Sequence, residues 1–151
     1  MRLSLTLGVA LSLGACADDH HDDTTYDCEK ETRDDEFVIG LTKPGANSRL
    51  EFKLLSSDPA PPSRGDNTMV LQLSTMAAPV MPVSGASMSV TPFMPDHEHT
   101  SGKAVKITPL ADPGQYQLAP VNLFMPGLWE VTVEVDGANS DLAVFRFCLP
   151  S

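Results

Sequence analysis

Cations, cysteines and histidines are scarce in this chain. Its 151 residues include 10 Lys or Arg against 20 Asp or Glu, a formal net charge of −10. That acidic balance does not favour binding to nucleic acid or to anionic lipid surfaces. The chain also lacks a phosphate-cradling Gly-rich loop and any Ser, His and Asp spacing typical of a hydrolase. We therefore do not expect an enzyme.

Long apolar runs are also missing, except at the N-terminus. Arg2 precedes an apolar stretch, residues 3–13, that is too short to cross a bilayer as a helix and is typical of a signal peptide. The stretch ends in LSLGAC, residues 11–16, which resembles the lipobox of bacterial lipoproteins. The resemblance implies a signal peptide of residues 1–15 and a lipid on the Cys16 sulfur. The alternative is an ordinary secretory signal with a chance Cys.

A lipid on Cys16 would be the only membrane anchor, because no second apolar run is long enough to span a bilayer. The protein would then face the periplasm from the cell envelope. The simplest inner-membrane retention signal is an Asp directly after the lipidated Cys. Ala17 stands there, with Asp18 after it, so the sequence favours the outer membrane.

The two remaining cysteines are Cys28 and Cys148. An even pair in a protein bound for an oxidising compartment predicts a disulfide between them. That bond would fasten the N-terminal segment to the last strand. The alternative, two unpaired thiols, is disfavoured in such a compartment.

Residues 16–36 are rich in Asp and contain one large apolar side chain, Tyr26. Such a stretch cannot bury enough surface to fold alone, so we expect an acidic, disordered tether between the lipid and the folded domain. The sequence DDHHDD within it, residues 18–23, would either bind a divalent cation loosely or serve as a solvated spacer.

Residues 37–151 read as a β domain with no helical period. Short apolar or alternating runs recur every eight to twelve residues with turn residues between them, and 13 Pro oppose helices. The clearest run places Trp129, Val131, Val133 and Val135 on one face. This pattern predicts an immunoglobulin-like antiparallel β-sandwich of about seven strands. The runs are FVIGLT, RLEFKLLS, TMVLQLST, ASMSVTPFM, KAVKITPL, QYQLAPVNLF, LWEVTVEV and LAVFRFC.

Counting strand reversals brings two loops together. In an antiparallel sandwich alternate loops lie at the same end. The loop MPDHEHTSG, residues 94–102, and the loop MPG, residues 125–127, are separated by two strands. Each follows a Phe, so the phrase FMP occurs in both. We expect the two loops to emerge at one pole.

The order of these motifs resembles the YtkA-like domain family of small secreted or lipid-anchored β-sandwich domains. The resemblance runs over residues 37–148 and rests on PAPPSRGDNTMVLQL, VTPFMPDHEH, PGQYQLAPVNLFMPGLWEVTVEV and AVFRF. It implies the sandwich fold and a role in metal handling. The family's loop usually reads Met-Pro, then Met, then Gly-His. Here Asp96, His97, Glu98 and His99 follow Met-Pro, so one Met is missing and a second His is present.

The converging loops predict a copper site. Imidazole suits copper in either oxidation state, and thioether sulfur selects Cu(I). His97 and His99 are two residues apart, so in an extended segment their side chains share a face. Asp96 or Glu98 would add an oxygen ligand and shift the preference toward Cu(II) or Zn(II). The expected metal ligands are Met94, His97, His99 and Met125.

A reading without metal stays open. Met is a common gap-filler in protein cores, and two His among acids are often only part of a solvated loop. The protein would then be an interaction or structural module of the periplasm, with an envelope protein as its partner.

Overall fold

The computed structural model describes residues 26–151, which form two antiparallel β-sheets that enclose one core. The predicted β-sandwich is confirmed. The described residues form nine strands where about seven were predicted, and two of the nine have only two or three residues. The strands are β1 (Thr42–Pro44), β2 (Leu50–Asp58), β3 (Gly65–Thr75), β4 (Met88–Met94), β5 (His99–Thr100), β6 (Lys106–Pro109), β7 (Gln115–Leu123), β8 (Gly127–Val135) and β9 (Asp141–Leu149). One sheet has the order β1-β2-β3-β7-β6 and the other β5-β4-β8-β9.

Alternating side chains on the facing strands build the core. On β8, Trp129, Val131, Val133 and Val135 are all buried, as the alternation predicts. On β3, Met69, Leu71 and Leu73 point into the core from the other sheet. Burying such side chains contributes about 1.5–3 kcal/mol each. The sandwich is therefore held mainly by the contact between its two inner faces.

The run FVIGLT, residues 37–42, is not the strand that its apolar residues predict. Gly40 adopts a φ of +88°, and the Leu41 N–H donates to the Val38 carbonyl in a turn. Regular strand begins only at Thr42, in β1. The turn still joins the sheet edge, because the Gly40 N–H donates to the Leu54 carbonyl.

The predicted disulfide between Cys28 and Cys148 is present, with the two Cα atoms 5.7 Å apart. A short 3-10 helix, Cys28–Lys30, begins at the first of these cysteines. Residues 26–36, which their composition places in the tether, lie against the sandwich. The predicted signal peptide, the predicted lipid on Cys16 and the DDHHDD sequence of residues 18–23 lie outside the described residues.

Asp35 joins this N-terminal segment to β9. Its N–H donates to the Arg146 carbonyl (2.9 Å), and its carboxylate accepts from the Arg146 N–H (2.8 Å). The same carboxylate also pairs with Lys43 of β1. The segment therefore follows the outer edge of the four-stranded sheet.

Asp141 closes the end of the sandwich at which β9 begins. Its carboxylate is buried and accepts backbone N–H groups from Asn47, Arg49 and Leu50 at 2.7–3.0 Å, as well as from Leu142. Burial alone would raise the pKa of Asp141, but these N–H donors hold it below its usual value. The turn between β1 and β2 is thus fixed by a residue that starts β9.

Candidate functional site

Two loops meet at one end of the sandwich, as the strand count predicts. Residues 95–98 connect β4 to β5, and residues 124–126 connect β7 to β8. The His99 ring stacks on Phe124 with centroids 5.4 Å apart and planes 22° apart. Arg64 secures the second loop by donating from Nε to the Phe124 carbonyl at 2.9 Å. We call the surface formed by residues 95–99 and 124–126 the His pole.

The two histidines of the His pole lie side by side. The ring centroids of His97 and His99 are 5.8 Å apart, and the ring planes are tilted by 32°. The extended geometry expected for this loop is wrong, because Glu98 between them has a φ of +52°. That left-handed conformation suits glycine better than a residue with a Cβ. The rings are neighbours because of a turn and not because of a strand.

His99 has the more unusual surroundings of the pair. Its ring is half-buried between Phe124 and the edge of Trp129, whose centroid is 6.4 Å away. Its Nδ1 atom is buried and has no hydrogen-bond partner among residues 26–151. A buried polar atom without a partner costs about 1–3 kcal/mol. His97, in contrast, is exposed.

The two methionines of the predicted ligand set pack against the core, whereas His97 is exposed to solvent. Met94 has no exposed surface and belongs to the core, while Met125 is half-buried against it. Gly127 leaves room for Met94, because a Cβ at Gly127 would lie 2.6 Å from the Met94 Cε atom. The sequence carries this signal, since Met94 continues the inward alternation of Met88, Val90 and Pro92. The four-residue ligand set stays a prediction.

Asp96 is engaged by the N-terminal segment. Arg33 donates from Nη1 to Oδ1 (2.8 Å) and from Nη2 to Oδ2 (2.7 Å), and the Tyr26 hydroxyl donates to Oδ2 at 3.1 Å. The Arg33 guanidinium is therefore the main group that holds the pKa of Asp96 below its usual value. Both carboxylate oxygens are occupied. The remaining acidic candidate for an oxygen ligand is Glu98, which is exposed.

The same network includes Glu31. Arg33 and then the Tyr26 hydroxyl donate to the Glu31 carboxylate and lower its pKa. Burial, followed by the hydrogen bonds to Glu31 and Asp96, raises the pKa of Tyr26 above its usual value. The sequence gives no local signal for this network, because Arg33 and Asp96 are 63 residues apart.

Residues 26–151 contain no group of three or more His, Cys, Asp or Glu side chains arranged to hold a metal ion. A metal at the His pole would therefore use the two imidazoles together with a thioether or solvent. In the same range no helix is long and apolar enough to cross a membrane.

The sequence profile of the YtkA-like family matches residues 46–134, more than half of the chain. The match includes β2 to β7, all of β8 except its last residue, and both loops of the His pole, whereas β1 and β9 lie outside it. Comparison with curated proteins and with solved structures gives no match. On the evidence of that profile and of the sandwich fold, the chain belongs to the YtkA-like family.

Proposed function

We propose that this protein is a lipid-anchored, non-catalytic accessory protein of the cell envelope that binds a copper ion at the His pole. His97 and His99 are its main ligands. The observation that carries the proposal is the spacing of their rings, 5.8 Å between centroids. Of the two predicted thioether ligands, Met125 is the more accessible, because Met94 is fully buried.

Ring spacing and donor chemistry both support this assignment. Two imidazoles bound to one ion through nitrogens at about 2.0 Å have centroids roughly 5–6 Å apart. The observed spacing lies in that interval. The Nδ1 atom of His99 is a nitrogen without a partner in the described chain, so a role as a metal ligand would satisfy it. Imidazole suits Cu(I) and Cu(II) alike.

A copper titration of the mature chain, made soluble by Cys16→Ser, tests the proposal. We expect His97→Ala with His99→Ala to weaken binding at least tenfold, for Cu(I) and for Cu(II). His20→Ala with His21→Ala is the matched control, since it removes the same number of imidazoles from the tether. Equal affinity of the wild type and the His97/His99 variant would refute the copper site.

Lipid attachment is tested separately. We expect the wild-type protein to incorporate a fatty-acid label and to sediment with membranes of the outer-membrane fraction. Cys16→Ser should be released into the soluble fraction, while its β-sandwich stays folded. A wild-type chain that is soluble and unlabelled would exclude the anchor without affecting the copper proposal.

A second candidate function is a protein-interaction module without metal. It is favoured by Phe124, whose side chain is 41% exposed on the His pole. Large exposed aromatic side chains are common energetic centres of protein interfaces. In cells that lack the protein, Phe124→Ala should then fail to restore the wild-type phenotype, whereas His97→Ala with His99→Ala should restore it. The copper proposal predicts the loss with the His variant.

A further inference from the structure

The chain enters the sandwich beside the His pole. Tyr26 donates its N–H to the Ser151 hydroxyl at 2.7 Å and its own hydroxyl to Asp96 of the β4–β5 loop. Its ring lies 3.8 Å from the position that a Cβ on Gly127 would occupy. Tyr26, the first described residue, therefore contacts one loop of the His pole through Asp96 and lies next to Gly127, which directly follows the other loop.

Several contacts fix this entry point. Cys28 is bonded covalently to Cys148 near the end of β9, and Arg33 makes two hydrogen bonds with Asp96. Further along, Asp35 is hydrogen-bonded to Arg146. A pull on the N-terminus is thus transmitted to the His pole and not to the opposite end of the sandwich.

Chain length limits how far this pole can move from a lipid. Nine residues, 17–25, lie between Cys16 and Tyr26, and a fully extended chain of that length spans at most about 35 Å. The opposite end of the sandwich lies one strand further away. A nine-residue strand such as β8 adds about 30 Å.

We propose that the His pole faces the membrane that holds the lipid anchor, and that its partner is a basic surface of a protein in that same membrane. This inference rests on the lipid anchor of the proposed function, and it does not require copper. The short tether would keep the His pole within reach of such a partner and would turn the opposite end away.

The charge around the pole decides between a bilayer and a protein as the partner. The cations of the N-terminal segment are already paired, Lys30 with Asp27 and Arg33 with Glu31 and Asp96. Arg64, which is hydrogen-bonded to the Phe124 carbonyl, adds one exposed cation. Against it stand the exposed carboxylates of Glu29 and Glu98, and Arg33 is shared by two carboxylates, so the surface is acidic on balance. An acidic surface is repelled by anionic lipid and attracted to a basic protein surface. The tether, with Asp at residues 18, 19, 22 and 23, adds to that repulsion.

Energy transfer to the bilayer tests the orientation. A fluorophore is placed on Thr100→Cys, next to the His pole, or on Ala138→Cys at the opposite end, with an acceptor in the lipid headgroup layer of vesicles that carry the anchored protein. We expect severalfold more transfer from residue 100 than from residue 138. Equal transfer, or more from residue 138, would overturn the proposed orientation.

Two control proteins sharpen this measurement. A flexible Gly/Ser insertion of about 20 residues between Thr25 and Tyr26 should remove most of the difference, because reach grows with linker length. A synthetic lipid coupled to the Cys16 thiol replaces the natural anchor. If only the coupled protein binds vesicles, natural lipidation has failed while the orientation is still measured.

Photo-cross-linking in cells tests the partner. A cross-linking side chain at Glu98 should capture a membrane protein, and the same group at Ala138 should not. The cross-link at residue 98 should weaken severalfold at high salt and in Glu29→Lys. Cross-links only to lipid, or protein cross-links that are insensitive to both salt and Glu29→Lys, would overturn the basic protein partner.

Discussion

Arg33 and Asp96 form a bidentate ion pair that joins the N-terminal segment to the loop that carries the histidines. Its two hydrogen bonds have lengths of 2.7 and 2.8 Å. Parallel hydrogen bonds of this kind require the planar guanidinium, which a Lys cannot replace. The side chain of Arg33 is 49% exposed, so solvent screens much of the interaction. Its main effect is on the position of the loop.

We expect Arg33→Lys to leave the free energy of unfolding almost unchanged, because exposed ion pairs contribute little to stability. Amide hydrogen exchange in residues 96–98 should become severalfold faster, because Lys can keep only one of the two hydrogen bonds that Arg33 donates to Asp96. Lys30→Met is the control, since Lys30 pairs only with Asp27 outside the loop. Unchanged exchange in Arg33→Lys would show that the loop holds its position alone.

The disulfide should contribute more than any other single contact of the N-terminal segment. Cys28 and Cys148 are 120 residues apart, and closing a loop of that length is worth about 4–5 kcal/mol in the chain-entropy description. We therefore expect Cys28→Ser with Cys148→Ser to lower the urea midpoint substantially. Cys16→Ser, which leaves the bond intact, should unfold like the wild type. Similar midpoints for all three proteins would contradict the prediction.

Asp141 should make stability depend on acid. We expect Asp141→Asn to cost about 2–3 kcal/mol near neutral pH, because hydrogen bonds to a charged acceptor are lost from a buried site. The exposed carboxylate of Asp136 provides a control in Asp136→Asn, which should unfold like the wild type.

The pH dependence of the Asp141 effect has a definite sign. The folded-state pKa of Asp141 lies below its usual value, so its contribution is present above an unfolded pKa of about 3.9 and is lost as pH falls through the folded pKa. Chemical denaturation at several pH values should show the wild type and Asp141→Asn converging in acid. A constant difference down to pH 2 would exclude ionisation as the cause.

Glu98 should be a position where glycine stabilises. A non-Gly residue at a φ of +52° pays roughly 1–2 kcal/mol for its Cβ, and part of that is offset by the greater freedom of glycine in the unfolded chain. We expect Glu98→Gly to raise the free energy of unfolding by up to about 1 kcal/mol. Glu98→Ala removes the same carboxylate but keeps the Cβ, so it should give no such gain.

The sequence predicts the features that depend on the alternation of apolar and polar residues along a strand. It also predicts the disulfide, because only two cysteines remain once Cys16 is assigned to the lipid. The inward face of β8 and the Cys28–Cys148 bond are examples. It does not predict Arg33–Asp96 or the cluster of N–H groups around Asp141, because those contacts join distant parts of the chain through irregular turns. Met94 lies between these cases. Its chemistry predicted a ligand, whereas the alternation of β4 already indicated the core.

The backbone contacts of Asp35 have a further consequence for the edges of the two sheets. An outer strand with free N–H and C=O groups can pair with another chain and start aggregation. On β9, Asp35 occupies both outward groups of Arg146. The other three outer strands, β1, β5 and β6, have two to four residues each, and β1 and β6 both end in Pro. Molecules crowded side by side are therefore poorly equipped to join by sheet extension.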